Sequence, residues 1–503
     1  MRANDSSQGE RLPQSISRPI SDTKSAVDAP LPLCVDLDGT LVKSDTLIDS
    51  LLVMVRTRPR LLLALPARLF HGKAAFKAFV TESISLDVVH LPYNRKLLQF
   101  LQRERNQGRD IYLATGADVR LANRVAEHLG IFKGVLGSDG ATNLTGTRKL
   151  DRLRIQLQAN LGSAAFDYIG NDTPDLPLLV QAAQPMVANP TLALRIGLRS
   201  QGIKPAQEFI EQRSPVRSLL KAVRLHQWAK NLLIFVPLLL SHRLSVPKLL
   251  IALAAFCCFS LTASAAYIVN DLLDIEADRR HPRKRLRPFA SGDLSAFAGA
   301  CIVAVFLIVG LAGGRLLPGE FYGWLLLYLA FTLSYSGFLK RMALFDVLAL
   351  SGLYILRLLA GGAATQTPIS HWLAGFSMFL FLSLAIVKRF AELENLRSSN
   401  STPKNGRGYL LSDIEQLRSF GTSSATAAVL VFAIYISGAD VVKLYRQPRL
   451  LWLIVPMLIL WLFRVWLLAS RGELDEDPVA FALTDRMSLL IGAAVVVIAL
   501  LAI

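Results

Sequence analysis

Residues 267–278 read Tyr267-Ile268-Val269-Asn270-Asp271-Leu272-Leu273-Asp274-Ile275-Glu276-Ala277-Asp278 and close an apolar run, about 248–270, that meets the ~20 residues a bilayer requires. Asp271, Asp274 and Asp278 stand at i, i+3 and i+7, so a continuous helix puts three carboxylates on one face with Asn270 one step away. Such charges repel unless a divalent cation and its anionic ligand sit among them. Directly after comes Arg279-Arg280-His281-Pro282-Arg283-Lys284-Arg285-Leu286-Arg287-Pro288, a basic loop able to fold over phosphates.

The apolar density continues to the end of the chain. Nine membrane helices are expected, near 231–244, 248–270, 295–314, 319–337, 345–364, 370–388, 422–440, 449–468 and 486–503. With a cytoplasmic start, the inner loops carry sixteen Lys and Arg: Arg279, Arg280, Arg283, Lys284, Arg285, Arg287, Lys340, Arg341, Lys388, Arg389, Arg397, Lys404, Arg407, Arg418, Arg471 and Arg486. The outer loops carry six, Arg243, Lys248, Arg315, Lys443, Arg446 and Arg449, in agreement with the positive-inside rule. Three further segments converge on the cytoplasmic mouth: Arg224 to Asn231, with Trp228 and Lys230; Tyr335 to Arg341, with Lys340; and Lys388 to Glu392. Snorkelling explains any one of them. Arg357, about three turns into the fifth helix, is an intramembrane cation and a functional-site candidate by default.

Of the 503 residues 52% are apolar and 18% charged, with a formal charge of +17. A soluble domain carries roughly 25% charge, so a disordered chain, a fibre and an ordinary soluble enzyme are excluded. No internal repeat of solenoid length is evident. Cys34, Cys257, Cys258 and Cys301 lie in apolar stretches without metal-ligand spacing, which argues against a disulfide or zinc framework.

Before about residue 215 the apolar runs are short and bounded by Gly, Pro and Asp. Residues 1–29 are polar, without the apolar core of a signal peptide, and are expected as a disordered tail before a cytoplasmic domain. Leu31 to Val35 then runs into Asp36-Leu37-Asp38-Gly39-Thr40, and β-like runs at 110–114 and 166–169 also end in polar loops. Strands alternating with helices predict a parallel α/β sheet with all three loops at one edge. Asp36 and Asp38, two residues apart on one turn, can share a divalent cation. One then attacks phosphorus while the other protonates the leaving oxygen and later activates water. Thr115 and Lys149 offer a hydroxyl and an ammonium to phosphoryl oxygens, and Asn171, Asp172 and Asp175 complete an oxygen-rich Mg²⁺ site.

On these motifs residues 30–205 resemble a haloacid-dehalogenase (HAD) superfamily phosphatase. The resemblance implies Asp36 as nucleophile, Asp38 as acid/base, Thr115 and Lys149 as phosphate binders, and Asp172 with Asp175 as the acidic metal motif. Asn171 stands where the family often has its first acidic residue, leaving two candidates, Asn171 and Asp172, to meet the metal. A helical cap is expected at about 48–100. Its stretch Leu51 to Thr81 has Arg56, Arg58, Arg60, Arg68, Lys73 and Lys77 and a single glutamate-free, aspartate-free apolar background, and either lies on an anionic membrane or packs on its own domain.

Residues 221–503, after a linker at 206–220, resemble the UbiA superfamily of intramembrane prenyltransferases, and within it the decaprenyl-phosphate phosphoribosyltransferase branch. The resemblance rests on Asn270-Asp271-x-x-Asp274-x-x-x-Asp278 with His281-Pro282-x-Lys284-Arg285-x-Arg287-Pro288, on Gln227-Trp228-x-Lys230-Asn231 and on Lys388-Arg389-x-x-Glu392. It implies Mg²⁺ on a diphosphate held by Asp271, Asp274 and Asp278, with Lys230, Asn270, Arg285, Lys340, Arg357 and Lys388 as substrate-binding residues. Prenyl-diphosphate enzymes have at least two aspartates in a second motif, whereas here Asp346 stands alone, with Leu350 and Tyr354 at the following turns. Asp346 is expected on a ribose hydroxyl or the metal.

The expected protein is therefore a multidomain chain, an α/β Rossmann-like HAD domain followed by an all-α polytopic membrane domain. It would sit in a bacterial inner membrane, transfer 5-phosphoribosyl from phosphoribosyl diphosphate (PRPP) to a polyprenyl phosphate, and dephosphorylate the product with the head. No nucleic-acid partner is expected, and homo-oligomerisation is left open. The rival readings are a prenyltransferase joining a prenyl diphosphate to an aromatic acceptor, and a lipid transporter or scaffold with a degenerate head. A transporter would carry inverted repeats.

Overall fold

The computed structural model describes residues 30–211, 214–242, 244–398, 408–474 and 478–503. The expected tail 1–29 and the basic residues Arg243, Lys404 and Arg407 lie outside the described residues, as does the Lys443 side chain.

Six strands form one parallel sheet: β1 (Leu33–Val35), β2 (Ile111–Asp118), β3 (Gly134–Ser138), β4 (Asp167–Gly170), β5 (Pro185–Ala188) and β6 (Gln207–Phe209), in the order β3-β2-β1-β4-β5-β6. The order reverses at β1, so the carboxyl ends of β1, β2 and β4 frame the crevice where such sheets bind ligands. Val35 faces Leu113 on one side and Ile169 on the other, which sets Asp36 level with Ala114 and Gly170. Leu33, Val35, Ile111, Leu113 and Ile169 are buried in the core beneath.

β6 falls inside the stretch expected as a linker. It pairs in register with Met186 to Ala188, because the sheet's edge amides and carbonyls gain partners from an added strand. Pro215–Val223 is helical as well, so only residues 210–214 join the sheet to the next domain. Between β1 and β2, the helices Thr46–Thr57, Leu65–Phe70 and Lys73–Ser83 build the cap. Asp45 starts the first of them by accepting from the Leu47 and Ile48 amides at 2.9 and 3.0 Å.

All nine expected spans fall on helical segments. Among the described residues six helices are long and apolar enough to cross a membrane: Val246–Leu273, Ala296–Arg315, Phe345–Thr365, His371–Arg397, Leu411–Ser437 and Pro448–Ser470. The other three are Gly319–Gly337, the shorter Arg486–Ala502, and a 3-10 stretch, Leu225–Phe235, that runs into Val236–Leu240. Small residues let the backbones approach. A Cβ on Gly361 would lie 2.1 Å from the Ile234 carbonyl oxygen, and one on Gly310 would lie 2.8 Å from Thr262 Oγ1.

The sheet domain docks on the end of the helical domain that carries the acidic motif. Arg279, buried, donates from Nη1 to Asp49 Oδ2 at 2.8 Å and from Nη2 to Ser44 Oγ at 3.0 Å. Lys43 pairs with Asp293 at 3.6 Å and Arg280 with Asp87 at 2.7 Å. Gly292, at φ +73°, lies so close to Lys43 that a Cβ there would come within 2.7 Å of the lysine Cβ.

Candidate active sites

In the sheet domain the three loops meet as expected. Asp36 follows β1, Thr115 lies within β2 where its pairing with β3 becomes irregular after Ala114, and residues 171–175 follow β4. Lys149, in the first turn of the Thr147–Leu161 helix, donates to Asp36 Oδ1 at 2.7 Å and to Asp175 Oδ1 at 3.1 Å. Asp175 also accepts from the Tyr168 hydroxyl at 2.7 Å and, on Oδ2, from the Asn171 amide at 3.1 Å. Thr115, buried, turns its Oγ1 to the Ala117 amide at 3.0 Å.

The two aspartates of the first loop differ in charge state. Burial pushes Asp36 up to about 6, with Lys149 opposing and Asp175 adding to the rise. Burial pushes Asp38 higher, to about 8, helped by Asp45 and Asp36. A carboxylate beside a carboxylic acid at neutral pH is the division of labour that a nucleophile and a general acid need. Asp38 Oδ1 accepts from the Thr46 amide at 2.8 Å, fixing the acid to the first turn of a cap helix.

Asn171, rather than Asp172, faces this centre. Its Oδ1 accepts from Thr40 Oγ1 at 3.3 Å, and a Cβ on Gly39, at φ +76°, would lie 2.0 Å from its Nδ2. Asp172 turns away, accepting from the Thr173 amide at 2.8 Å and from Thr191 Oγ1 at 2.9 Å. Its expected place at the metal is corrected, since capping the following turn already engages that carboxylate. The cap contributes Lys77, whose Nζ donates to the Gly116 carbonyl at 2.6 Å and to Asn143 Oδ1 at 2.9 Å. Sequence reasoning counted Lys77 only as part of a basic stretch, and no periodicity distinguishes it from Lys73.

The helical domain holds a cavity of about 300 Å³ on the docked side. Lys230, Asn270, Asp274, Lys340, Arg357 and Lys388 all line it, joined by Arg224, Lys284, Arg287 and Arg389 and by Tyr267, Tyr328 and Tyr354. Arg357 is buried in an aromatic cage, its guanidinium 4.9 Å from the Tyr328 ring centre and 5.6 Å from those of Phe259 and Tyr354. Its Nε donates to Asn231 Oδ1 at 2.8 Å, so the intramembrane cation is aimed by side chains from three other segments. A separate cavity of about 430 Å³, lined by Phe376, Phe432, Trp461 and other mostly apolar side chains, contains none of the candidate residues.

The acidic motif is not one helical face. The long helix ends at Leu273 and a new one begins at Ile275, with Asp274 at the junction. Asp271 accepts from Arg224 and from Arg287 at 3.1 Å, and Asp278 accepts from Arg287 at 2.7 Å. Asp274 projects to the cavity and accepts from Lys340 at 2.9 Å. The repulsion expected among three carboxylates is thus met by basic side chains. Among the described residues no three acidic, His or Cys side chains are grouped closely enough to hold a metal ion by themselves; Asp274 and Asn270, which reach the cavity, offer the hard oxygens that suit a Mg²⁺ arriving with its diphosphate.

Residues 232–492 match the UbiA prenyltransferase family. The chain belongs to that family. A protein of Sinorhizobium fredii designated y4nM is 37% identical over 468 residues, covering 93% of this chain and 90% of its own length, a match that spans both domains. The decaprenyl-phosphate phosphoribosyltransferase of Mycobacterium tuberculosis is 35% identical over 226 residues, 44% of this chain and 74% of its own. A solved UbiA homolog from Archaeoglobus fulgidus, bound to GPP and Mg²⁺, is 16% identical over 56% of this chain and 99% of its own, with a TM-score of 0.44. The N-terminal domain adds a parallel sheet that gathers Asp36, Thr115, Lys149 and Asp175 at one edge.

Two expectations for the UbiA domain are corrected. Arg285 is exposed and does not line the cavity. Lys284–Leu286 is a 3-10 turn, and at three residues per turn Lys284 and Arg287 share the inward side that Arg285 leaves. Asp346 is fully buried below the cavity, where it accepts from Arg389 Nε and from the Tyr409 hydroxyl. Arg389 also donates to Glu392 at 2.9 Å and to the Tyr335 hydroxyl at 3.1 Å. Asp346 thus holds Arg389 instead of facing ribose or metal.

Proposed function

We propose that this UbiA-family membrane enzyme transfers 5-phosphoribosyl from PRPP to a polyprenyl phosphate, and that its HAD-like head removes the 5-phosphate from the product. One observation carries the transferase reading: basic side chains from five segments, Arg224, Lys230, Arg287, Lys340, Arg357 and Lys388, converge on one cavity, while the second-motif carboxylate, Asp346, is buried outside it. Such a cavity suits a donor and an acceptor that are both phosphorylated better than a prenyl diphosphate and a neutral ring. The relation to a decaprenyl-phosphate phosphoribosyltransferase supports the same donor. The docked face would be cytoplasmic, in a bacterial inner membrane.

Asp271, Asp274 and Asp278 are the residues that would hold Mg²⁺, which would supply charge to the departing diphosphate. Lys340, Arg287 and Arg224 bind its oxygens, and Lys230, Lys388 and Arg357 orient the lipid phosphate. The bond from ribose C1 to diphosphate oxygen breaks, diphosphate leaves with the electron pair, and a lipid phosphate oxygen bonds to C1 from the opposite side.

The 5-phosphate of that product is a monoester. In the head, Asp36 attacks its phosphorus while Asp38 gives its proton to the ribose oxygen that leaves. Asp38 then takes a proton from water as the acyl phosphate is cleaved. The Thr46–Thr57 helix touches Asp38 at one end and Asp274 at the other, so the two centres stand about one helix length, ~18 Å, apart. Membranes containing the chain, given labelled PRPP, polyprenyl phosphate and Mg²⁺, should place label in lipid. Label from a prenyl diphosphate appearing on an aromatic acid instead would overturn the reading.

A further inference from the structure

Arg56 belongs to the HAD-like domain, yet its guanidinium lies 3.0 Å from Asp274 Oδ1 and donates to the Leu273 carbonyl at 3.4 Å. Asp274 has Lys340 on its other oxygen. Lys340 lines the cavity and Arg56 does not, so the head reaches this carboxylate from outside the cavity. What holds Arg56 there is the Arg279 clamp on Asp49, seven residues earlier on the same helix, with both partners buried. Leu52, between them in the chain, packs against the apolar cluster that includes Phe289 and Ile275.

Charge counting shows what this contact adds. Among the described residues, Asp271, Asp274 and Asp278 are engaged by Arg224, Arg287 and Lys340 of their own domain, three cations against three anions. Arg56 is a fourth cation, supplied by the other domain. We propose that the docked head, through Arg56, biases the transferase centre against a bare divalent cation and toward a cation carried with its diphosphate. Arg56 is a positioning residue, acting on the substrate through Asp274. The inference rests on reading this cavity as a diphosphate site, and it concerns binding alone.

A merely structural contact, once removed, would weaken every ligand. Loss of a positive charge beside Asp274 moves a cation and an anion in opposite directions. The test uses the full chain in nanodiscs, with Mn²⁺ followed by electron paramagnetic resonance and the Asp274→Asn difference assigning the signal to this centre. Labelled inorganic diphosphate is then titrated at saturating Mn²⁺. Arg56→Met should bind Mn²⁺ about three-fold more tightly and diphosphate about three-fold more weakly, the size expected of a partly exposed charge pair. Arg56→Lys should stay near wild type on both. Asp49→Asn, which leaves Arg279 buried without its counter-charge and so undocks the helix, should repeat both shifts from a distance.

If Arg56→Met weakens both ligands or changes neither, if Asp49→Asn leaves both at the wild-type values, or if wild type gives no Asp274-dependent Mn²⁺ signal, the proposal is wrong. PRPP transfer measured on the same preparations reports separately on the reaction: opposite shifts without transfer would keep this inference and sink the donor assignment.

Discussion

Lys149 Nζ lies 2.7 Å from Asp36 Oδ1, and that one ammonium separates the behaviour of two aspartates on the same turn. Burial pushes both upward, but Asp36, with the lysine against it, stops at about 6, whereas Asp38, whose partner is the Thr46 amide, reaches about 8. Hydrolysis of an alkyl phosphomonoester such as ribose 5-phosphate should rise with pH through about 6 as Asp36 ionises. It should fall through about 8 as Asp38 loses the proton it donates. Lys149→Met removes the opposing charge and should move the rising limb to higher pH, while added Mg²⁺ should move both limbs lower. A pH–rate profile checks the signs.

Asp36→Asn should separate the two reactions. An amide cannot form the acyl phosphate, so phosphatase turnover should vanish while PRPP transfer stays within about two-fold, distant sites being nearly additive. Mass spectrometry should find polyprenylphosphoryl ribose from wild type and its 5-phosphorylated form from the variant, one phosphate apart. Identical products from an active head would refute the relay.

Asp274→Asn should lower PRPP transfer by about 100-fold or more through misplacement of the diphosphate. Arg287→Ala should be similarly damaging, since Arg287 bridges Asp271 and Asp278. Arg285→Ala should change transfer by less than about two-fold, as surface substitutions usually do. Initial rates with labelled PRPP distinguish the inward from the outward arginine.

Asp346→Asn should act on stability. It removes the buried one of the two carboxylates on Arg389 and leaves Glu392, a loss of about 1–3 kcal/mol, seen as a lower Tm in detergent. The KM for PRPP should stay close to wild type in the protein that remains folded. A raised KM with an unchanged Tm would return Asp346 to the substrate.

The sheet, the edge that gathers the candidate residues and the positions of nine helical segments were legible in the sequence because strand-loop motifs and long apolar runs are local signals. Asp36, Asp38, Thr115, Lys149 and Asp175 sit where their motifs imply. Asp172 was misread because a cap and a metal ligand want the same residue type, and only the Thr191 hydroxyl 19 residues away decides between them. Arg285 was misread because a turn of three residues reverses which basic side chain points inward. The Arg279–Asp49 pair joins residues 230 apart and has no sequence signal; Arg279 reads as one more member of the basic loop.

The addition of β6 to the sheet leaves residues 210–214 as the whole tether between the domains, a reach of at most ~17 Å when fully drawn out. A head so moored cannot act as a swinging arm that collects its substrate from the mouth and carries it off. If the proposed relay operates, movement between the two centres would belong to the lipid, whose headgroup would leave one domain and turn toward the other while its chain stays in the bilayer. Inserting flexible residues at 210–214 would therefore lengthen the search instead of aiding it, and the 5-phosphorylated intermediate should accumulate as the tether grows.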